Sequence, residues 1–417
     1  MGAFTKKYSL LCVAMFLICC IGMPRYGYSF DISCWKQWTV YIFQHGLGNV
    51  YHSQTNYLPL LHYILKVLGL SQGSVEAINA HIHYLKSIVL IFHFITGYFI
   101  ALLIKREENT WNKVILNVFL FYLFNIAVLY NTVIWGQVDA ILSCLVFITC
   151  YFAFKKRILA SLIFITLAIN FKIQAVIFVP VVGLLILPVM ISTFSIKKLA
   201  QWILIPLLLQ LLILTPFIIE GTYLQIWYVT RISAGMFKVV SMNAFNLWYL
   251  FSSMDLLTSS ADTNTFIGIS YRNWGFLMFF VSSGLALFPL AQYAYLSIVK
   301  RIELNIPLEK ILITCALIPF LFFYFNTEMH ERYSDPAFAF LISYALYKKK
   351  PFIAVIGCLA YFLNLESAYR HLDPSYYTSF IFNPCFASCL YLLTIVLLFC
   401  ELFDLKFKKN IPYIFSK

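Results

Sequence analysis

The chain has 417 residues, 62% of them hydrophobic and only 11% charged, with a mean hydropathy of +0.83. A soluble domain carries roughly a quarter of its residues as charges, so this chain could not cover a water-facing surface, and most of it is expected to sit in lipid. Its net charge of +13 does not point to nucleic acid. The basic residues come in short clusters between apolar runs: Lys6-Lys7, Lys105-Arg106, Lys155–Arg157, Lys197-Lys198, Lys300-Arg301, Lys348–Lys350, and Lys406 with Lys408 and Lys409. The positive-inside rule places such clusters in cytoplasmic loops.

In chain order the apolar segments predict about twelve spans, at 8–26, 82–104, 113–131, 137–154, 158–170, 174–194, 200–219, 274–299, 309–326, 336–347, 351–365 and 381–403. The first begins like a signal peptide after Lys6-Lys7. No small-x-small cleavage site precedes Pro24-Arg25, so it reads as an uncleaved span. With Lys6-Lys7 inside, alternation places every later basic cluster inside too, and both termini are expected in the cytoplasm.

The outer side then holds three longer segments, 27–81, 220–273 and 366–380. In the first, Ser33–Gly46 and Tyr57–Leu70 have the spacing of amphipathic helices lying on the interface. The second reads as a helix over Tyr223–Val240, then 241–251, then a polar stretch at 252–265. No repeat or low-complexity tract divides the chain, so the fold class is an all-α integral membrane protein with one polytopic domain, 1–417. Most cysteines lie in apolar runs. Only Cys34 and Cys385 fall near the outer surface, where a disulfide is open to them.

Four outer constellations carry ionisable groups. Asp31 follows the first span and precedes Trp35 and Trp38; it suits either a general base or the N-cap of the next helix. Trp135, Gln137 and Asp139 stand between the third and fourth spans, where an acid at membrane depth is a functional candidate and Trp also suits the interfacial belt. Lys172 and Gln174 interrupt a long apolar run, and Lys172 needs either an anionic partner or a path to the head groups. The fourth, from Asn326 to Asp335, packs His330, Glu331, Arg332 and Tyr333 into one short turn, with Arg suited to phosphate oxygens. His330 has no second His at metal-binding spacing.

An acid that deprotonates a hydroxyl, with cations that hold a phosphate leaving group, fits glycosyl transfer from a lipid-phosphate sugar. The chain has no P-loop, no G-x-G-x-x-G and no nucleophile elbow, which removes support for ATP-driven transport and serine hydrolysis.

The ordered set resembles a known family. Asp31, the stretch Asn56 to Leu60 around Tyr57, Trp135–Asp139, Lys172 with Gln174, Asn243 to Trp248 including Asn246, and His330–Tyr333 occur in one order from Asp31 to Pro336. The series is similar to the GT-C superfamily of membrane glycosyltransferases, in particular bacterial proteins related to the second mannosyltransferase of GPI-anchor synthesis. The dolichyl-phosphate-glucose glucosyltransferases have a comparable turn to His330–Tyr333.

The resemblance implies a polyprenyl-phosphate sugar donor, a lipid-linked or glycan acceptor, inversion at the anomeric carbon, and Asp31 as base. Lys172, His330 and Arg332 would bind the donor phosphate. Tyr57, Trp135, Gln137, Asp139, Gln174, Asn243, Asn246, Glu331 and Tyr333 would contact substrate. The sequence departs from the pattern in having Pro59 alone where relatives have a Pro pair. Ile32 stands where many relatives have a second acid, which argues against a first-loop metal site. No cofactor is called for, although a divalent metal stays open.

Two other classes remain: a flippase or transporter of a polyprenyl-linked or anionic substrate, and a polysaccharide polymerase or ligase. The first expects matching broken helices in both halves; only 170–174 is of that kind. The second expects an Arg-rich outer loop, and 220–273 holds only Arg231 and Arg272. With no Asn-x-Ser/Thr site in the chain, a monomer in a bacterial inner membrane with a periplasmic site is expected, ahead of an ER protein with a lumenal site.

Overall fold

The computed structural model describes residues 2–105, 110–233, 235–301, 305–372 and 380–405, with side chains from Leu10 onward. The side chains of Lys6 and Lys7, the basic residues Arg106, Lys406, Lys408 and Lys409, and residues 373–379 of the third outer segment lie outside this description.

Helix α1 (Gly2–Gly22) leads into α2 (Ser29–His45), α3 (Pro59–Gln72) and α4 (Val75–His81), then α5 (Tyr84–Ile104). The two amphipathic helices expected in the first outer segment are therefore α2 and α3, each one to four residues offset from its expected bounds. Both keep one apolar side inward, with Trp35, Trp38, Leu61 and Leu65 buried. The third expected span is broken. It runs from α6 (Trp111–Val118) through a π-turn, then α7 (Ile126–Leu129) and a second π-turn over Tyr130–Trp135, and its halves meet at 52°. Asn125 makes the break by capping the second half, its side chain accepting from the N–H of Ala127 and Val128.

Next come α8 (Asp139–Phe154), α9 (Ile158–Phe171), α10 (Val179–Ser192) and α11 (Ile196–Ile219). Helix α12 (Tyr223–Ile232) is shorter than the sequence suggests, because Gly235 turns at φ +102°. The rest of the second outer segment carries short strand β1 (Ser241–Met242), helix α13 (Met254–Ser259) and the hairpin β2 (Thr265–Phe266) with β3 (Ile269–Ser270). Helices α14 (Tyr271–Lys300) and α15 (Leu308–Phe325) follow, then β4 (Met329–His330), α16 (Asp335–Lys348), α17 (Pro351–Tyr369) and α18 (Pro384–Leu402). Strand β4 pairs in parallel with β1, tying the second outer segment to the His330 turn.

Among the described residues, seven helices are long and apolar enough to cross a membrane, or eight with the bent pair as one. Each of the twelve expected segments falls on a helix, but α8, α9 and α16 are shorter than a full span. Helix α8 is buried on nearly every side and packs against α5, α9 and α16. By contrast α11 keeps only 11% of its apolar window buried, with Leu204, Leu207, Leu208 and Leu212 facing outward. An apolar surface of that kind is stable against lipid and not against water. These features define a multi-pass, predominantly helical membrane protein.

The helices give the bundle two unlike ends. Helix α8 runs from Asp139 at one end to Lys155 at the other, α5 from Lys86 to Lys105, and α16 from Asp335 to Lys348. At roughly 1.5 Å per residue, α8 alone separates them by about 24 Å. At the basic end Lys310 pairs with Asp404 at 2.7 Å and Lys350 with Glu401 at 2.5 Å. Cys34 and Cys385 are free thiols.

Candidate functional site

The acid-bearing end gathers residues from four distant stretches. Asp31 lies in the first turn of α2, but its side chain does not cap that helix. Oδ2 instead accepts hydrogen bonds from Trp135 Nε1 at 2.8 Å and Gln137 Nε2 at 2.5 Å. The N-cap reading is thereby replaced: the carboxylate is oriented by the Trp135–Asp139 stretch. Oδ1 accepts from no described residue and is not among the side-chain atoms closed off from solvent.

The backbone that presents these groups is held tightly. Tyr28 N–H donates to Trp135 O at 2.8 Å, and Trp35 Nε1 donates to Gly136 O at 3.1 Å. Lys86, almost fully buried, donates to the carbonyls of Pro24 at 3.0 Å, Tyr26 at 2.6 Å and Val133 at 2.7 Å. Gly136 has φ +88°, and a Cβ there would meet Ile32 Cδ1 at 3.0 Å. Gly27 has no room for one either, with Trp135 O at 2.5 Å.

Asp139 is the hub of the cationic side. Lys172 Nζ donates to its Oδ1 at 2.7 Å, and Arg332 Nε lies 3.6 Å from Oδ2. Asn131 Nδ2 is shared between Asp139 and Asp335, 3.2 Å from each. Asp335 also accepts from Ser143 Oγ at 2.5 Å and Tyr361 OH at 2.8 Å. Arg332 Nη1 donates to Glu331 Oε1 at 2.5 Å, while its Nε is buried without a hydrogen-bond partner. The Lys172 ammonium lies 4.6 Å from the Tyr333 ring centre, and Gln174 Nε2 holds Tyr333 O at 2.7 Å. His330 packs edge-on against Phe237 at 4.8 Å, with Glu331 Oε2 at 3.8 Å.

The charges in this connector are strongly biased. Burial works against the Lys172 ammonium, yet the Asp139 carboxylate outweighs it and holds its pKa above the usual lysine range. Burial also opposes the Arg332 charge, which Asp31, Glu331 and Asp139 together stabilise. The Glu331 carboxyl, which burial alone would raise, is held at about 2 by Arg332. His330 moves the other way: burial lowers its pKa, so it is neutral near pH 7. Lys172 and Arg332 both keep donors, one at Nε of Arg332 and others at Nζ of Lys172, that no described residue uses.

Of the residues singled out in the sequence, Asp31, Trp135, Gln137, Asp139, Lys172, Gln174, Glu331, Arg332 and Tyr333 converge, with His330 at the edge. Tyr57 joins them through its phenol, which responds to Lys172 and Arg332 while its ring packs on Trp35 at 5.2 Å. Asn246 does not take part. Its Nδ2 donates to Phe323 O at 3.3 Å and Asn326 O at 3.2 Å, so it staples α15 to the second outer segment. Asn243, at φ +61°, bridges to His330 through the backbone. The sequence reading missed Asn131, Ser143 and Tyr361, polar groups inside apolar runs that only the fold brings to one acid.

Beside Lys172 a cavity of about 290 Å³ opens between α3, α9, α11 and α12, lined by Leu58, Ile173, Leu214 and Trp227 among others. The reciprocal amides of Asn170 and Gln210, 2.6 and 3.0 Å apart, form its polar wall. Among the described residues no group of three or more His, Cys, Asp or Glu is arranged to hold a metal ion. No family model matches the chain, and no curated protein matches its sequence.

Proposed function

We propose that this chain is an inverting glycosyltransferase that moves a hexose from a polyprenyl-phosphate donor to an acceptor hydroxyl on the non-cytoplasmic face of a membrane. One observation carries the reading: Asp31, a carboxylate with one free oxygen, acts on the buried Arg332, which shares Asp139 with the buried Lys172, and both cations keep free donors.

The acceptor oxygen attacks the anomeric carbon from the face opposite the phosphate, and its proton passes to Asp31 Oδ1. The carbon–oxygen bond to the phosphate breaks, and that oxygen leaves with the electron pair. Charge therefore grows on the phosphate in the transition state, where Lys172, Arg332 and the neutral His330 can donate to it. Trp135 and Gln137 hold the other oxygen of Asp31 and aim the base. The apolar cavity, bounded by Asn170 and Ile173 on either side of Lys172 in the chain, suits the donor's hydrocarbon chain.

In this reading the chain crosses twelve times, the basic end is cytoplasmic together with both termini, and the site faces the periplasm of a bacterial inner membrane. Mannose is the first sugar to try, and the protein acts as a monomer. The test uses radiolabelled polyprenyl-phosphate sugars, purified protein and extracted lipid acceptors, with Asp31→Asn as control. Label moving only with the wild type supports transfer and identifies the sugar. Tight donor binding without transfer from any donor would favour a flippase instead.

A further inference from the structure

The aromatic residues around Trp135 form a series that leads away from Asp31. Tyr28 lies 4.8 Å from Trp135 at an interplanar angle of 31°, and Tyr369 lies 5.5 Å from it at 49°. Tyr28 and Tyr369 meet nearly edge to face, 5.8 Å apart at 81°. His371 stacks beyond Tyr369 at 5.7 Å and 18°, and Tyr26 follows it at 5.9 Å. Exposure rises along the same line: Trp135 is 2% exposed, Tyr28 and Tyr369 are half-buried, and Tyr26 is 60% exposed. We infer that Tyr28, Tyr369 and His371 form a stacking subsite for a pyranose ring, so that the hydroxyl brought to Asp31 belongs to a sugar.

This inference rests on the glycosyl-transfer reading and names its acceptor. Aromatic residues at a membrane interface are commonly a belt that anchors the protein among head groups, but two features set these rings apart. First, their backbone is fixed from inside the protein. Helix α17 ends at Tyr369 with Arg370 at φ +55°, and the chain beyond is held by the fully buried Glu366, which accepts from Leu372 N–H at 2.6 Å and from Tyr130 OH. On the other side Lys86 fixes Tyr26 O, and Trp135 O fixes Tyr28 N–H. Belt residues need no such anchoring.

Second, no described residue bonds to the hydroxyls of Tyr26, Tyr28 and Tyr369, whereas Tyr361 and Tyr63 bond within the protein at 2.8 and 3.0 Å. A pyranose has an apolar face of C–H groups that packs on aromatic rings and a rim of hydroxyls that phenols and imidazole can bind. A protein or glycerolipid hydroxyl presents no such face.

The experiment is saturation-transfer NMR on the detergent-solubilised full chain. The probes are methyl α-mannopyranoside, methyl β-glucopyranoside and methyl β-galactopyranoside, with glycerol as a hydroxyl-only control. Saturation should reach the ring C–H protons of at least one pyranoside and not glycerol. Tyr369→Ala should weaken binding about three- to tenfold, the scale of one aromatic contact, and Tyr369→Phe should recover most of it. Tyr26→Ala, at the exposed end, should weaken binding less while leaving the fold intact if Tyr369→Ala does not fold. Tyr295→Ala, an exposed aromatic on α14 far from the site, should change nothing.

Equal saturation of glycerol, no binding of any pyranoside, or unchanged binding in both Tyr369→Ala and Tyr26→Ala would overturn the subsite. Transfer to an acceptor whose KM ignores Tyr369→Ala would overturn it too, and leave the transfer reading standing. Pyranoside binding in the expected pattern without transfer from any donor would overturn the acceptor role along with the transfer reading, and leave a sugar-binding surface.

Discussion

Lys172 and Asp139 face each other at 2.7 Å with side chains 12% and 2% exposed, and neither can be removed alone without stranding the other. Lys172→Met should therefore destabilise the protein by about 3–5 kcal/mol, as breaking a buried pair does, which thermal melts in detergent would measure. Asp31 differs, because Trp135 and Gln137 are neutral donors that an amide can also satisfy. Asp31→Asn should lower the melting temperature far less than Lys172→Met, because Glu331 and Asp139 still face Arg332, and should keep donor binding while transfer falls roughly 10²–10⁴-fold, the share of a general base. A variant with near-normal turnover would move the base to Asp139.

His330 makes the site sensitive to pH. Burial lowers its folded pKa below the ordinary 6.5, while Glu331 pulls upward and Arg332 and Lys172 push downward. The unfolded chain then binds the proton first as pH falls, so the neutral His330 contributes stability that is full above pH 6.5 and lost as pH drops through the folded value. His62, lowered to about 4 in α3, adds a loss of the same sign. Glu331, held at about 2, contributes stability present above about 4.5 and lost only as pH nears 2. Melting temperatures at pH 7.5 and 5.0 should differ, and His330→Gln should narrow the gap without closing it; an unchanged gap would remove His330 from the account.

At the scale of elements, the broken span from Trp111 to Trp135 decides how the site is built. Its 52° bend and its two π-turns direct Asn131 at the acids and Trp135 at Asp31. π-turns concentrate at functional sites because each inserts one residue and re-aims the side chains after it. Gly136 ends the second π-turn in the left-handed region, where a side chain costs about 1–2 kcal/mol. Gly136→Ala should lower stability by roughly that amount and, by shifting Gln137 off Asp31, lower kcat more than it raises KM.

The sequence marked this stretch as a connector rich in function but showed neither bend nor π-turn. An inserted residue every few turns leaves an apolar run apolar. The second outer segment was legible as a helix followed by polar chain, but α12 stops at Ile232. There Gly235 and Phe237 turn their N–H groups to Glu328 Oε2 at 3.0 and 3.3 Å, a long-range partner that no local pattern announces.

At the scale of the whole molecule, every described basic cluster sits at the end of the bundle opposite Asp31. Orientation can be checked with a membrane-impermeant maleimide on intact cells. The exposed Cys385, at the start of α18, should label from outside, and a cysteine placed at Lys349 should not. The reverse pattern would invert the topology and with it the periplasmic site.

Composition alone determined that the chain lives in lipid, because 11% charge cannot clothe a water-facing surface. Charge spacing laid out the expected sidedness, and interruptions of apolar runs marked most of the residues that converge, since an ionisable group at membrane depth has no inexpensive bland role. Only the tertiary structure decided which of those groups meet. It joined Asp31 to Trp135 and Gln137, paired Lys172 with Asp139, gave Asn246 a stapling role instead of a place in the site, and brought Tyr28 against the sequence-distant Tyr369. Hydropathy and spacing report the solvent each segment prefers, whereas contacts between segments depend on helix packing, bends and buried hydrogen bonds that no single segment encodes.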